Sequence, residues 1–245
     1  MHHSDKDSTS GQPLQPHFGA GRHIAMPDVA LRVNEIFYSI QGEGTRAGMP
    51  CVFVRLHGCK LRCSWCDTTY AIDRRSGGNM MSAAAIYREL APFDCSFIEF
   101  TGGEPLEQED VLPLMTWYCD EGFTVAVETG GHVDVSRVDP RVIKIVDMKC
   151  PDSRMESLNN YENLRHLQPQ DEVKFVINSR RDYEWARTLL RETALDEKCA
   201  AVLFSPVFGA IDYQEMVGWI LADHLPVRFQ LQMHKFIWDP EMRGV

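Results

Sequence analysis

No apolar run in the 245 residues reaches the ~20 that a membrane-spanning helix requires, and the first residues carry no continuous apolar core of a signal peptide. These absences point to a cytoplasmic protein with no membrane partner. Basic residues are also outnumbered, 25 Lys and Arg standing against 35 Asp and Glu for a formal charge of −10. A chain of that balance is not built to neutralise nucleic-acid phosphates, so a small-molecule partner is expected and nucleic acid is not. No internal repeat is visible, and the length suits one sizeable core rather than two ordinary enzyme domains. Residues 1–27 have no apolar periodicity and are rich in His, Ser, Asp, Gly, Gln and Pro, so they read as a disordered tail before a single domain over residues 28–245.

Cysteine is present in number, eight in all, but its placement is uneven. Cys51, Cys95, Cys119, Cys150 and Cys199 are scattered through apolar or small-residue contexts and read mostly as buried thiols. The other three, Cys59, Cys63 and Cys66, fall within eight residues, with three residues between the first pair and two between the second. Thiolates favour iron–sulfur clusters and zinc, and a loop this tight wraps one centre. What the loop lacks is a fourth cysteine, which a closed zinc site or a fully protein-ligated four-iron cluster wants. His57, two residues before Cys59 at the end of an apolar run, could in principle complete a zinc site. A disulfide would leave one thiol unpaired.

Strands and helices alternate along the chain. Expected strands are Ala30–Tyr38, Pro50–Leu56, Phe97–Thr101, Thr124–Glu128, Val142–Val146, Glu172–Ile177, Ala201–Phe204 and Val227–Leu231. Expected helices are Ser82–Leu90 with Ser82 as N-cap, Gln108–Glu121, Leu158–Leu167, Asp182–Leu195 and Gln214–Ala222. Alternation of this kind predicts parallel βαβ units, and polar or glycine-bearing motifs recur at the C-terminal strand ends, where β/α barrels assemble their sites. The fold class is therefore α/β, an incomplete, open (β/α) barrel of about six parallel strands.

Two of those strand ends stand out. Gln41-Gly42-Glu43-Gly44 brackets an acid with glycines, consistent with close ligand approach or with a plain turn. Thr101-Gly102-Gly103-Glu104-Pro105 frees backbone for hydrogen bonding beside a carboxylate suited to an ammonium. Arg55 lies inside the apolar strand Pro50–Leu56 and requires an anion, either a structural carboxylate or that of a ligand.

Cys-x3-Cys-x2-Cys with Trp65 before the last cysteine, followed by Gly102-Gly103-Glu104-Pro105, resembles the radical S-adenosylmethionine enzymes. Phe37 to Gly44 and Gln232-Met233-His234-Lys235-Phe236 narrow the resemblance to the 7-carboxy-7-deazaguanine synthase family, over about residues 30–245. The resemblance implies conversion of 6-carboxy-5,6,7,8-tetrahydropterin to 7-carboxy-7-deazaguanine with loss of ammonia. It implies a [4Fe-4S] cluster on Cys59, Cys63 and Cys66, with the cofactor S-adenosyl-L-methionine chelating the fourth iron, and Mg2+ on Thr68. Trp65, Cys66, Asp67, Gly103, Glu104, Asp147, Met148, Lys149 and Ser205 would surround S-adenosylmethionine. Ile40, Gln41, Gly42, Glu43, Arg55, Thr101, His234 and the terminal Val245 would contact the pterin. An electron donor such as flavodoxin or ferredoxin, and a homodimer, are implied likewise. Two other readings share part of these features: a radical activating enzyme acting on a polypeptide, and a non-catalytic zinc-binding module.

Overall fold

The computed structural model describes residues 24–245. The expected disordered tail therefore lies outside the described residues as far as residue 23. One sheet of nine strands organises the rest, in the order β3-β1-β2-β4-β5-β6-β7-β8-β9. The strands are β1 (Ala30–Ile40), β2 (Pro50–Leu56), β3 (Asn79–Ser82), β4 (Phe97–Gly102), β5 (Thr124–Thr129), β6 (Ile143–Asp147), β7 (Glu172–Ile177), β8 (Ala201–Pro206) and β9 (Arg228–Phe229). β1 pairs antiparallel with β2 on one side and with β3 on the other. From β2 through β4 to β9 every neighbour is parallel, and the two ends of the sheet do not meet. The open, mostly parallel α/β sheet is as expected.

Period-two alternation sorts each parallel strand into two faces. Ile98 and Phe100 of β4 and Val125 and Val127 of β5 join Leu114, Met115 and Tyr118 of helix α2 (Val111–Asp120) in one buried cluster. Val173, Phe175 and Ile177 of β7 do the same with Tyr183, Ala186 and Leu190 of α3 (Arg180–Thr193). The intervening residues Glu99, Thr101, Glu128, Asp147 and Lys174 face the other way, into the concave side that lines a cavity. Strands that read as nearly continuous apolar runs thus carry one or two charges among their cavity-facing positions.

Helix starts follow local chemistry. Ser82 accepts from Ala85 N–H at the start of α1 (Ala83–Leu90), and Asp212 accepts from Glu215 N–H at the start of α4 (Tyr213–Ala222). The last helix, α5 (His234–Ile237), is a single turn. No helix among the described residues is long and apolar enough to cross a membrane.

Four local expectations change. The helix expected over Leu158–Leu167 is instead a pair of 3-10 turns, Glu156–Leu158 and Tyr161–Arg165. Fully buried Asn163 explains it: its amide donates to Gly131 O at 3.1 Å and Val133 O at 2.8 Å and accepts from Val135 N–H at 3.1 Å, tying the segment to the loop after β5. No α-helix separates β5 from β6 or β6 from β7, so the strand–helix alternation is interrupted there. β3 escaped the local reading because its four residues are strand only by pairing with β1, and the last strand shortens to Arg228–Phe229.

Candidate active site

A cavity of about 490 Å³ opens at the C-terminal ends of the parallel strands. Most residues singled out from sequence line it: Ile40 at the end of β1 with Gln41, Gly42 and Glu43 after it, Arg55 on β2, and Thr101 and Gly103 at the end of β4. The cluster loop contributes Cys59, Cys63, Trp65, Cys66, Asp67 and Thr68, while Asp147 ends β6, Lys149 follows it, and His234 and Val245 come from the C-terminal segment. Glu104, Met148 and Ser205 do not line it. Met148 is buried in the apolar cluster behind β7, and Ser205 is 1% exposed. Glu104 spends its carboxylate on the Thr129 hydroxyl at 2.9 Å, Gly130 N–H at 2.7 Å and Leu106 N–H at 3.0 Å, so its visible role is to tie the β4 and β5 loops together.

The cluster loop folds back on itself. The Arg62 guanidinium donates to Cys59 O and Leu61 O, both at 2.7 Å, and Ser64 N–H reaches Ser153 O at 3.2 Å. Gly103 is where β4 meets this loop: a β-carbon there would lie 2.6 Å from the Gly58 carbonyl carbon, and the neighbouring Glu104 N–H donates to Gly58 O at 2.8 Å. The glycine therefore serves close backbone packing as well as exposure to the cavity. Burial pushes the Cys59 thiol up to about 12 and raises Cys63, so these thiols become thiolates when a metal's positive charge stands beside them. Among the described residues no three His, Cys, Asp or Glu side chains converge on a single ion position. His57 is engaged elsewhere, with Asn34 Oδ1 at 3.1 Å and Ser76 O at 2.8 Å, and is not the fourth ligand of a zinc site.

Most charges on the concave face are paired. Lys174 Nζ donates to Glu43 Oε2 at 2.9 Å and also to Glu128 Oε1, while Gln232 donates to Glu43 Oε1 at 3.0 Å. Burial opposes the Glu43 charge, but the Lys174 ammonium and these hydrogen bonds outweigh it and hold the carboxyl below its usual range. Arg55 meets a structural carboxylate, Glu35 Oε1, at 2.7 Å through Nε, and the Tyr70 hydroxyl donates to the same oxygen at 2.8 Å. Lys149 Nζ donates to Asp147 Oδ2 at 2.8 Å, whereas Asp147 Oδ1 is buried without a partner. Asp67 is exposed at its side chain but closely surrounded; that crowding disfavours its charge, yet Lys235 at 2.9 Å holds the carboxyl down to about 2. The Thr68 hydroxyl donates to Asp67 Oδ1 at 3.2 Å.

Glu35, Glu99, Glu128 and Lys174 were missed from sequence. The signal was available, since Glu99 and Lys174 are charges inside apolar strands just as Arg55 is.

Comparison with known proteins places this site in a family. Residues 40–151 match the family described as a 4Fe-4S single cluster domain. A 7-carboxy-7-deazaguanine synthase of Koribacter versatilis (strain Ellin345) is 43% identical over 231 residues, 88% of this chain and 100% of the relative. The chain belongs to the 7-carboxy-7-deazaguanine synthase family. A second member, from Chlorobaculum tepidum, is 43% identical over 221 residues, covering 89% of this chain and 99% of the relative. The crystal structure of QueE from Escherichia coli superposes with a TM-score of 0.69 at 25% identity, over 84% of this chain and 95% of that one. Streptococcus suis SuiB bound to S-adenosylmethionine shares the fold, with a TM-score of 0.51 at 14% identity over 71% of this chain and 48% of that one.

A 7-carboxy-7-deazaguanine synthase is a radical S-adenosylmethionine enzyme, and the residues present fit its resident groups. Three soft thiols without a fourth suit a four-iron cluster that leaves one iron to the cofactor. The unpartnered Asp147 Oδ1 beside Lys149 offers an acceptor on the same wall.

Proposed function

We propose that the protein converts 6-carboxy-5,6,7,8-tetrahydropterin to 7-carboxy-7-deazaguanine with loss of ammonia. The observation that carries this is the meeting of the three cluster-loop thiols with Gln41, Glu43, Arg55 and His234 around one cavity of about 490 Å³. When bound, the cluster and S-adenosylmethionine supply a one-electron reductive cleavage and the radical that begins the reaction. The chain's own residues bind and orient. Ionised Glu43 accepts from the guanidine-like N–H edge of the pterin, held in place by Lys174 and Gln232. Arg55, whose Nε is occupied by Glu35, lines the cavity and offers the rest of its guanidinium to the substrate carboxylate. Thr101 touches the ring, and His234, lying over Gly42, closes that side against water.

Around the other end of the cavity, Cys59, Cys63 and Cys66 would ligate the cluster, and Trp65, Asp67, Gly103, Asp147 and Lys149 would hold S-adenosylmethionine. Thr68 with substrate oxygens would hold Mg2+, a cation that keeps several waters and takes few protein ligands. Its hydroxyl now bonds Asp67, so Mg2+ would draw it away from that partner. Val245, at the cavity rim, would complete the substrate contacts. An external one-electron donor such as flavodoxin or ferredoxin would supply the electron, and both that donor and the homodimer follow from the family resemblance alone. Eight unpaired thiols support a reducing, cytoplasmic setting.

The test is anaerobic reconstitution with iron and sulfide, then incubation with the carboxypterin, S-adenosylmethionine and reductant. The deazaguanine product and ammonia are expected in equal amounts, and turnover should fall on chelation and return with Mg2+, a response that Thr68→Ala blunts. Cleavage of S-adenosylmethionine without any change in the pterin would remove the assignment.

A further inference from the structure

A small chamber of about 20 Å³, room for about one water, adjoins the cavity and shares Gln41, Glu43, Glu99, Glu128 and Lys174 with it. Four carboxyl groups line this chamber, those of Glu43, Glu99, Glu128 and Glu172, against two cations, Arg46 and Lys174. Both cations are committed. Lys174 bridges Glu43 and Glu128, and Arg46 lies 3.5 Å from Glu172. Among the described residues no cation pairs with Glu99, although it is only 2% exposed.

Among the described residues the one hydrogen bond to its carboxyl group comes from the Gln41 amide, whose Nε2 donates to Glu99 Oε2. The amide is oriented by its other end, because Gln41 Oε1 accepts Glu43 N–H at 3.0 Å. Glu99 Oε1 has no hydrogen-bond partner among the described residues, and Glu99 borders both the chamber and the substrate cavity. An ionised carboxylate so placed is costly, whereas a neutral acid needs only an acceptor for its hydroxyl. The titratable groups facing it are Glu43, the Cys51 thiol, Glu128 and Lys174. Burial, then the Glu128 charge, raises the Glu99 carboxyl well above its usual range, and Lys174 offsets this only in part.

We propose that Glu99 is a further substrate-binding residue, a neutral carboxylic acid whose Oε1 hydroxyl donates to a ring nitrogen or carbonyl acceptor of the bound heterocycle. This rests on the pterin reading above. The 2-amino-4-oxo ring of a pterin presents N–H donors and lone-pair acceptors together. Two carboxyl groups in different protonation states match such a ring: Glu43 accepts from the donors, and Glu99 donates to an acceptor.

The test measures binding of 6-carboxy-5,6,7,8-tetrahydropterin by calorimetry, with cluster-replete protein and S-adenosylmethionine present. Glu99→Gln keeps the size, can still accept from Gln41, and offers an amide N–H in place of the hydroxyl, so affinity should stay within about threefold of wild type. Glu99→Leu removes the donor and should weaken binding by about tenfold or more, the size of one lost buried hydrogen bond. Infrared difference spectra of the wild type should show a neutral-carboxyl stretch that is missing in Glu99→Gln and shifts when the pterin is added. Glu99→Gln binding as weakly as Glu99→Leu, Glu99→Leu binding as well as wild type, or the absence of that stretch at neutral pH would each overturn the role of Glu99. Wild-type protein that fails to bind the carboxypterin would instead overturn the proposed function, and this role with it.

Discussion

His234 sits on the backbone of Gly42: a β-carbon at Gly42 would lie 3.0 Å from His234 Cγ, 3.1 Å from its main-chain nitrogen and closer still to Nδ1. Met233 N–H donates to Gly42 O at 2.9 Å, so the two segments are locked together by main chain as well as by contact. The C-terminal histidine motif thereby becomes a wall of the cavity.

Gly42→Ala should displace His234, since its main-chain nitrogen cannot swing aside as a side chain would. The expected result is a rise of about tenfold or more in KM for the pterin, with the cluster's visible absorption unchanged. Unchanged KM would show that the His234 contact is dispensable.

Replacing Cys59, Cys63 or Cys66 singly by Ala should abolish both the visible absorption of the reconstituted cluster and cleavage of S-adenosylmethionine. Cys119→Ala should leave both intact, because Cys119 packs against the apolar core beneath the helices and does not line the cavity. A loop mutant that kept absorption and full activity would dismiss the ligand set.

Arg55 and Glu35 separate binding from stability. Glu35→Gln keeps an acceptor for Arg55 Nε and should cost at most about 1 kcal/mol of stability, because the pair is partly exposed. Arg55→Ala should weaken pterin binding by about tenfold or more through loss of a charge-assisted bond, while the cluster is retained. If Arg55→Ala unfolds the protein and leaves no measurable binding, its partner is Glu35 alone.

The buried carboxyls predict opposite pH effects. Glu43 is depressed in the folded state, so its stabilisation is present above about pH 4.5 and is lost as pH falls through the folded value. Glu99 is raised, so the folded protein holds an extra proton and stability declines as pH climbs from about 4.5 toward the folded value, by at most about 1.4 kcal/mol per pH unit. Glu99→Gln abolishes that decline, so over the range from about pH 5 upward its melting temperature should gain on wild type until the folded value is passed. A constant difference across that range, followed by differential scanning fluorimetry, would refute it.

By itself the sequence determined the fold class, the cluster loop and most of the cavity's lining. The hydrophobic alternation of β4, β5 and β7 and the spacing of Cys59, Cys63 and Cys66 are local properties, and the glycines at 42 and 103 mark close approach before any partner is known. Tertiary structure alone decided which charges meet. Glu35 and Arg55 stand 20 residues apart and Glu43 and Lys174 stand 131 apart, so their pairing follows from strand register and not from any pattern along the chain. The same holds for Glu104, an expected cofactor contact that the fold spends on Thr129 and Gly130, and for the residues around Asn163, where one buried amide overrode a helical pattern. Local sequence sets secondary structure through backbone and packing preferences, but a buried charge is defined by whichever groups the fold brings within a few ångströms of it.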